Sequence, residues 1–425
     1  MLWEFWLLSA IIDKINISAK VVHKVKITVI GAGAMGSMLG AYLEAGGADV
    51  TLIVRHKELV EKFISPGITI QSYAADGQEA SGLGPIPVKA AVDTKEQDVA
   101  DAVLLMVKGP DTRDALAGAA NIIGDNTKVI TLQNGIGNTD IIAESVPKDR
   151  IYYGCLNMSA IMEAPGVLTG ALFGDVNVCL GSVEKGAEQK AFGDELCGYF
   201  KNAGVGAEYM DTIDVEVWNK MLVNLAVNAT CGIVRLRGGE AGENNEFVML
   251  GVDMIKEAIT VAHKLGVELD LNYFMGHVLP SARKTSGLHY PSMAQDMMMK
   301  KARTEIEFLN GAIERLGKEV GVPTPVNTTV ARLVRTIESN YDRQYFPKGA
   351  SGKTGPSFKI TINDKFCKGC GYCVKYCAKN VLALEETINA KGYHVAYLAQ
   401  ADQCVGCLNC SSVCPEAAIS ITKED

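Results

Sequence analysis

K-I-T-V-I-G-A-G-A-M-G, from Lys26 to Gly36, runs a β-branched segment straight into three glycines and then into a helical stretch through Leu43 and Glu44 to Gly46. Strand, glycine turn and helix in that order open a doubly wound α/β unit that cradles a dinucleotide. Gly31 is expected to allow the tight turn, Gly33 to let a pyrophosphate approach the backbone, and Gly36 to let helix and strand pack closely, with Ala32, Ala34 and Met35 completing the loop. The phosphates then rest on the helix N-terminus, where free backbone N–H groups and the helix dipole favour negative charge.

Outward from this turn, the segment Asp49 to Val54 reads as the second strand, and it ends in Arg55, followed by His56 and Lys57. An enzyme selective for NAD would place a carboxylate here. A guanidinium grips a ribose 2′-phosphate with paired hydrogen bonds, so NADP(H) is the expected cofactor; the alternative is that Arg55 is an ordinary exposed charge. Ala102 to Val107 and Val129 to Leu132 read as buried strands ending at Lys108 and at Gln133-Asn134-Gly135. Open α/β sheets bind ligands at such strand tips, so Lys108 and Asn134 are expected at the cofactor; the alternative is that Asn134 is only a turn residue, since Asn-Gly favours turns anywhere.

After Asp214 the rhythm changes to long helical patterns over Val215 to Cys231, Asn244 to Leu265 and Ala302 to Val320, which predicts a second, mainly α-helical domain. In the first of these, W-N-K-M-L-V-N-L-A-V-N from Trp218 to Asn228, Lys220, Asn224 and Asn228 fall on successive turns of one face. Burying an ammonium and two amides among apolar neighbours is costly without partners. The stripe is therefore expected to line a ligand cavity, against the alternative that Lys220 snorkels to solvent and the amides are satisfied core groups.

The ordered motifs V-I-G-A-G-A-M-G, V-K-G-P-D-T, Q-N-G-I-G, V-W-N-K-M-L-V-N-L-A-V-N, S-M-A-Q-D, T-E-I-E-F-L-N-G-A-I and G-V-P-T-P span Val25 to Phe346. Together they resemble the ketopantoate reductase family, NADPH-dependent enzymes that reduce 2-dehydropantoate to pantoate. The resemblance implies that Lys220 protonates the carbonyl oxygen as hydride arrives from the nicotinamide. It implies further that Asn134, Asn224, Asn228, Ser292 and Glu305 hold substrate or orient the lysine, and that Lys108 and Asn134 help to shape the active site. Glu305 is expected to pair with Lys220 and so offset the burial that depresses its pKa. Two features depart from the family pattern. Gly238-Gly239-Glu240 stands where an Asn-Gly-Glu is common, and one extra residue lies between Asp296 and Glu305. On a continuous helix that residue would turn Glu305 by about 100°. Reduction of another branched 2-oxo acid therefore stays open.

Beyond a stretch rich in Gly, Ser, Pro and Lys, the chain carries two C-x₂-C-x₂-C-x₃-C runs: Cys367, Cys370, Cys373, Cys377 and Cys404, Cys407, Cys410, Cys414. Soft thiolates at this spacing suit two [4Fe-4S] clusters, with the fourth cysteine of each run reaching across to the other cluster. The sets are then Cys367, Cys370, Cys373 and Cys414, and Cys404, Cys407, Cys410 and Cys377. Zinc is the rival, but paired C-x₂-C units leave the third and fourth cysteines unexplained. The segment resembles bacterial two-cluster ferredoxins.

A formal charge of -8 argues against general nucleic-acid affinity, and no apolar run approaches the roughly 20 residues that span a bilayer. Clustered cysteines with four others scattered through apolar surroundings point to a reducing, cytoplasmic compartment rather than to disulfides. The expected organisation is an extension over residues 1–24, an NADP-binding Rossmann domain over 25–211, a helical substrate domain over 212–346, a linker over 347–358 and a small α+β ferredoxin-like domain over 359–425. The native chain is expected to begin at Val25; finding peptides from Trp3 to Lys14 in protein from the source cell would reject this. The expected partners are a small 2-oxo acid and a redox protein docking on the iron-sulfur domain, with neither nucleic acid nor membrane. The reading from another class is an electron carrier whose reductase portion is a scaffold.

Overall fold

A computed structural model describes residues 24–73, 79–278, 290–299, 303–344, 357–377 and 379–424. Apart from Lys24, the expected extension lies outside the described residues, as does the expected linker up to its last two positions. The chain divides into two compact units, one ending at Asp342 and the other beginning at Arg343.

In the first unit the expected strand, turn and helix are β1 (Lys26–Ile30) and α1 (Ala34–Ala45). The chain continues through β2 (Asp49–Ile53), β3 (Ile68–Tyr73), β4 (Glu79–Ile86), β5 (Lys89–Ala91), β6 (Ala102–Leu105), β7 (Lys128–Thr131) and β8 (Ile151–Leu156). Then come β9 (Met158–Ala164), β10 (Val167–Leu172), β11 (Val178–Ser182), helix α2 (Ala187–Asn202) and β12 (Ala207–Tyr209). The main sheet has the order β12-β11-β8-β7-β6-β1-β2-β5. It is parallel from β5 to β8, and β11 then runs antiparallel to β8. Parallel strands must be covered on both faces. One core accordingly joins Leu39, Leu43, Leu196 and Phe200 to one face, and a second joins Leu116, Ile122 and Ile142 to the other.

A second sheet of order β4-β3-β10-β9 lies against α1, with Met38 packed onto Gly170. This explains why Gly36 to Leu43 are buried all round the helix. Sequence reasoning did not foresee this sheet.

The helical part comprises α3 (Ile213–Val234), α4 (Asn245–Lys264), α5 (Ser292–Met298), α6 (Asn310–Val320) and α7 (Pro325–Glu338). α3 runs through its centre, packing on α4, α5 and α7 and reaching back to β8 and β11 of the main sheet. The helix expected over Ala302 to Val320 is broken. Thr304 Oγ1 accepts the Ile306 N–H, a 3-10 turn covers Ile306–Phe308, and α6 begins only at Asn310. A threonine side chain offering its own backbone hydrogen bond competes with helix at this position. Among the described residues no helix is long and apolar enough to cross a membrane.

The second unit pairs β13 (Ser357–Ile362) with β16 (Ile419–Glu424) and β14 (Leu382–Ile388) with β15 (His394–Leu398), both antiparallel. Two short helical turns, Tyr372–Lys375 and Asn409–Ser412, place Cys373 and Cys410 in a small core with Ile360, Val381, Leu382, Ala396 and Ile419.

Candidate functional site

The glycine turn is built as its residues require. Gly31 has φ +95° and so close an approach to β6 that a Cβ would meet the Val107 nitrogen at 2.5 Å. Only glycine fits there. A Cβ at Gly33 would meet no protein atom within 4 Å, which leaves open space over the N-terminus of α1, where the first turn carries no acidic residue. That is the setting a pyrophosphate needs. Contact between Gly31 and Val107 also brings Lys108, three residues past β6, beside the turn. Arg55, two residues past β2, is largely exposed, and its Nη2 lies 3.0 Å from Asp111 Oδ2.

The tips of β6 and β7 meet the helical part at Phe308. Its ring packs on Gly109, its carbonyl accepts the Ile136 N–H at 2.9 Å, and a Cβ on Gly135 (φ +85°) would stand 2.1 Å from that carbonyl oxygen. Gln133 stiffens the β7 tip, donating from Nε2 to the Val107 carbonyl at 2.7 Å and to Thr112 Oγ1 at 2.9 Å. Lys108 Nζ pairs with Asp296 of α5, whose side chain is 5% exposed. Gln133 and Asp296 were not among the expected site residues; a strand-tip amide and a buried acid one turn from a helix start gave little sign of their partners in sequence.

Glu305 stands just before the 3-10 turn and outside any helix. Burial raises its pKa, while nearby Lys108, a hydrogen bond from Asn134 Nδ2 at 3.5 Å and the Gly109 backbone act to lower it. The expected Glu305–Lys220 pair is not formed. The glutamate is drawn instead to the strand tips by Asn134, Gly109 and Lys108.

Lys220, Asn224 and Asn228 do form a stripe on α3. Asn228 is 5% exposed, and among the described residues neither Asn224 nor Asn228 has a hydrogen-bond partner. Burial lowers the Lys220 pKa, and the groups that act to raise it are Cys155 and Cys179. Ser292, the first residue of α5, is exposed. The structure therefore gathers Gly31, Lys108, Asn134 and Glu305 at the sheet tips, and sets Lys220, Asn224 and Asn228 along the neighbouring helix.

In the second unit, burial pushes Cys373 up to about 11, and the thiols near enough to add to this are Cys367, Cys370 and Cys414. Burial likewise raises Cys410, where the neighbouring thiols are Cys377, Cys407 and Cys404. Cys414 thus neighbours the first run and Cys377 the second. Backbone N–H groups of Ala396 and Ala418 point at Cys367 and Cys414 at 3.4 and 3.3 Å; those of Val381 and Gly406 point at Cys377 and Cys404 at 3.3 and 3.4 Å. Such donors suit sulfur that carries negative charge in an iron-sulfur cluster. Among the described residues no group of three or more His, Cys, Asp or Glu side chains is placed to hold a single metal ion.

Comparison with known proteins agrees with this division. Residues 27–189 match the model of ketopantoate reductase PanE/ApbA, residues 212–338 its C-terminal model, and residues 366–418 a 4Fe-4S dicluster domain. The 2-dehydropantoate 2-reductase of Lactococcus lactis is 33% identical over 317 residues, 74% of this chain and 98% of that protein. That of Pyrococcus horikoshii is 31% identical over 315 residues, with the same coverage of 74% and 98%. Among solved structures, a D-mandelate dehydrogenase in ternary complex with NADH and anilino(oxo)acetate is 30% identical with a TM-score of 0.65, covering 75% of this chain and all of that one. A PanE/ApbA family ketopantoate reductase from Ralstonia eutropha is 27% identical with a TM-score of 0.63, covering 75% and 99%.

Proposed function

The chain belongs to the ketopantoate reductase family, and from that premise we propose that it reduces 2-dehydropantoate to pantoate with NADPH in the cytoplasm. The observation that carries the reading is the α3 stripe, in which a buried amine precedes two amides that lack protein partners. Bound at the Gly31–Gly36 turn, the nicotinamide cofactor supplies the hydride. Lys220 supplies the proton: hydride addition to C2 leaves negative charge on the oxygen, and a positioned ammonium stabilises that charge and neutralises it. Asn224 and Asn228 offer N–H donors and carbonyl acceptors to the substrate's carboxylate and hydroxyl groups. Glu305 and Asn134, joined at the strand tips beside Lys108, orient the end of the site nearest the cofactor. Arg55 is suited to the 2′-phosphate of NADPH.

Three observations favour a second reading, reduction of another branched or aromatic 2-oxo acid with NADH. Asp111 sets a carboxylate beside Arg55, Gly238-Gly239 lacks an amide at a position that can touch substrate, and the dehydrogenase with a TM-score of 0.65 was solved with NADH. One assay separates the readings. Purified protein is given NADPH or NADH with a panel of 2-oxo acids, and loss of reduced-nicotinamide absorbance is followed. Fastest turnover with 2-dehydropantoate and NADPH supports the first reading; preference for an aryl 2-oxo acid and NADH replaces it with the second.

The C-terminal unit is assigned to one-electron transfer through two [4Fe-4S] clusters toward a redox protein. Clusters pass single electrons while a nicotinamide moves a hydride, and a flavin normally joins the two. The sequence holds no second nucleotide-binding fingerprint. The two chemistries are therefore assigned as independent, and loss of NADPH-dependent reduction on replacing Cys370 and Cys407 with serine in folded protein would contradict that assignment.

A further inference from the structure

Gln133 is buried at the tip of β7, and its amide nitrogen donates twice to one loop, to the Val107 carbonyl at 2.7 Å and to Thr112 Oγ1 at 2.9 Å. Thr131 Oγ1 donates to Gln133 Oε1 at 2.8 Å, which fixes the amide with its nitrogen toward the loop. The two contacts bracket Lys108-Gly109-Pro110-Asp111. Inside the bracket the chain makes a 3-10 turn, with the Asp111 N–H donating to the Lys108 carbonyl at 2.8 Å. Thr112 is fully buried, so the loop is anchored next to Asp111. Asp111 in turn meets Arg55, Oδ2 to Nη2, at 3.0 Å; the arginine side chain is 79% exposed and the aspartate 36%. Exposed ion pairs are weak when two free side chains must both be ordered. Here the acid is placed by its loop and the loop by Gln133, so the ordering falls chiefly on the arginine.

We propose that Gln133 is a positioning residue for cofactor choice: by clamping the loop at Val107 and Thr112 it holds the Asp111 carboxylate against Arg55, the group suited to a 2′-phosphate. This rests on the reading of the Gly31–Gly36 turn and Arg55 as the dinucleotide site. A carboxylate there occupies the guanidinium and repels a 2′-phosphate, whereas it can accept a hydrogen bond from the free 2′-hydroxyl of NADH. The clamp therefore weighs against NADPH and in favour of NADH. An apolar side chain of similar size would fill the tip of β7 as well, but it would leave the Val107 carbonyl and the Thr112 hydroxyl without their partner. Lys108, at the near end of the loop, is tied separately to Asp296. Release of the clamp is thus felt mainly at the far end, where Asp111 stands.

The test uses the full chain and needs no turnover. Kd for NADPH and for NADH is measured by nicotinamide fluorescence in the parent, in Gln133→Leu, in Asp111→Ala and in the double variant. Gln133→Leu is expected to lower the ratio of Kd for NADPH to Kd for NADH by about threefold, the scale of one exposed ion pair. In the Asp111→Ala background the same substitution should leave that ratio unchanged, because the carboxylate through which it acts is gone. Both constants weakening in parallel, with the ratio held, would show a packing role only and overturn the proposal; so would an equal shift of the ratio with and without Asp111. If Gln133→Leu does not fold, Thr112→Val removes one of the two clamping bonds at nearly constant volume and carries the same expectations. Hydrogen exchange without ligand should quicken across residues 107–112 in either variant, and unchanged exchange there would refute the clamp whatever the dinucleotides do. A parent that binds neither dinucleotide would overturn the cofactor reading and the proposal with it, an outcome told apart because it precedes any substitution.

Discussion

Lys108 and Asp296, 188 residues apart in sequence, are joined by an ion pair that ties the tip of β6 to the start of α5. Asp296 is buried and Lys108 is about a third exposed, so the pair bridges the α/β and helical parts at the edge of the site. Lys108 also influences Glu305. One lysine therefore sets the charge balance for two acids of the helical part. Removing one partner from a buried pair leaves the other charge uncompensated. Asp296→Ala should destabilise the first unit by about 2 kcal/mol, below the usual cost for a wholly buried pair because Lys108 reaches water. Thermal unfolding of Asp296→Ala, Lys108→Ala and the double variant checks this, and the double variant should be less unstable than the sum.

Lys220→Ala should lower kcat by about a hundred- to ten-thousand-fold, the range for losing a positioned acid, with a small change in KM. The rate in the parent should fall as pH rises through a midpoint below the ordinary lysine value, because burial disfavours the ammonium. Steady-state kinetics over pH with 2-dehydropantoate and NADPH measure both.

Arg55 and Asp111 should govern cofactor choice in opposite directions. Loss of a charge-assisted hydrogen bond makes Arg55→Ala raise KM for NADPH by about tenfold while leaving NADH nearly unchanged. Asp111→Ala frees the guanidinium and removes a carboxylate that repels a 2′-phosphate, so KM for NADPH should fall.

Glu314, 7% exposed, accepts from Arg335 at 2.8 Å and from Lys318 at 3.0 Å. The Arg335 hydrogen bond, and then that of Lys318, hold its pKa below the usual carboxylate value despite burial. The folded state thus binds its proton less readily than the unfolded chain, so the stability it contributes is present above the unfolded pKa and lost as pH falls through the folded one. Glu314→Gln should melt below the parent at neutral pH, and the gap should close on acidification. Circular dichroism melts across that range test it.

Cys370→Ser and Cys407→Ser should each abolish the visible absorbance and the reduced-state paramagnetic signal of one cluster, while NADPH oxidation by 2-oxo acid persists at the parental rate. These thiols are the most exposed of each run, so serine there disturbs the protein core least.

What sequence revealed, and what it hid, follows from the range of the interactions. The turn at Gly31 is local: a positive φ is demanded within one strand, turn and helix, and glycine records it. The 4Fe-4S dicluster domain was also legible, because the repeated C-x₂-C-x₂-C-x₃-C spacing is local. Glu305 was assigned to the wrong neighbour. Its surroundings depend on where the chain leaves α5 and on Phe308 docking against two strand tips, which no local pattern encodes. The second sheet was missed because β3 and β10, parallel neighbours, lie nearly a hundred residues apart.

Under the proposed ligand assignment, the exchange of fourth cysteines would make the C-terminal module indivisible. A polypeptide ending anywhere between Cys377 and Cys414 would retain the whole first run and still could not furnish four thiols to the centre that run begins. Neither repeat could then be excised, transplanted or inherited alone, and the pair would mature as a single event and be lost as one.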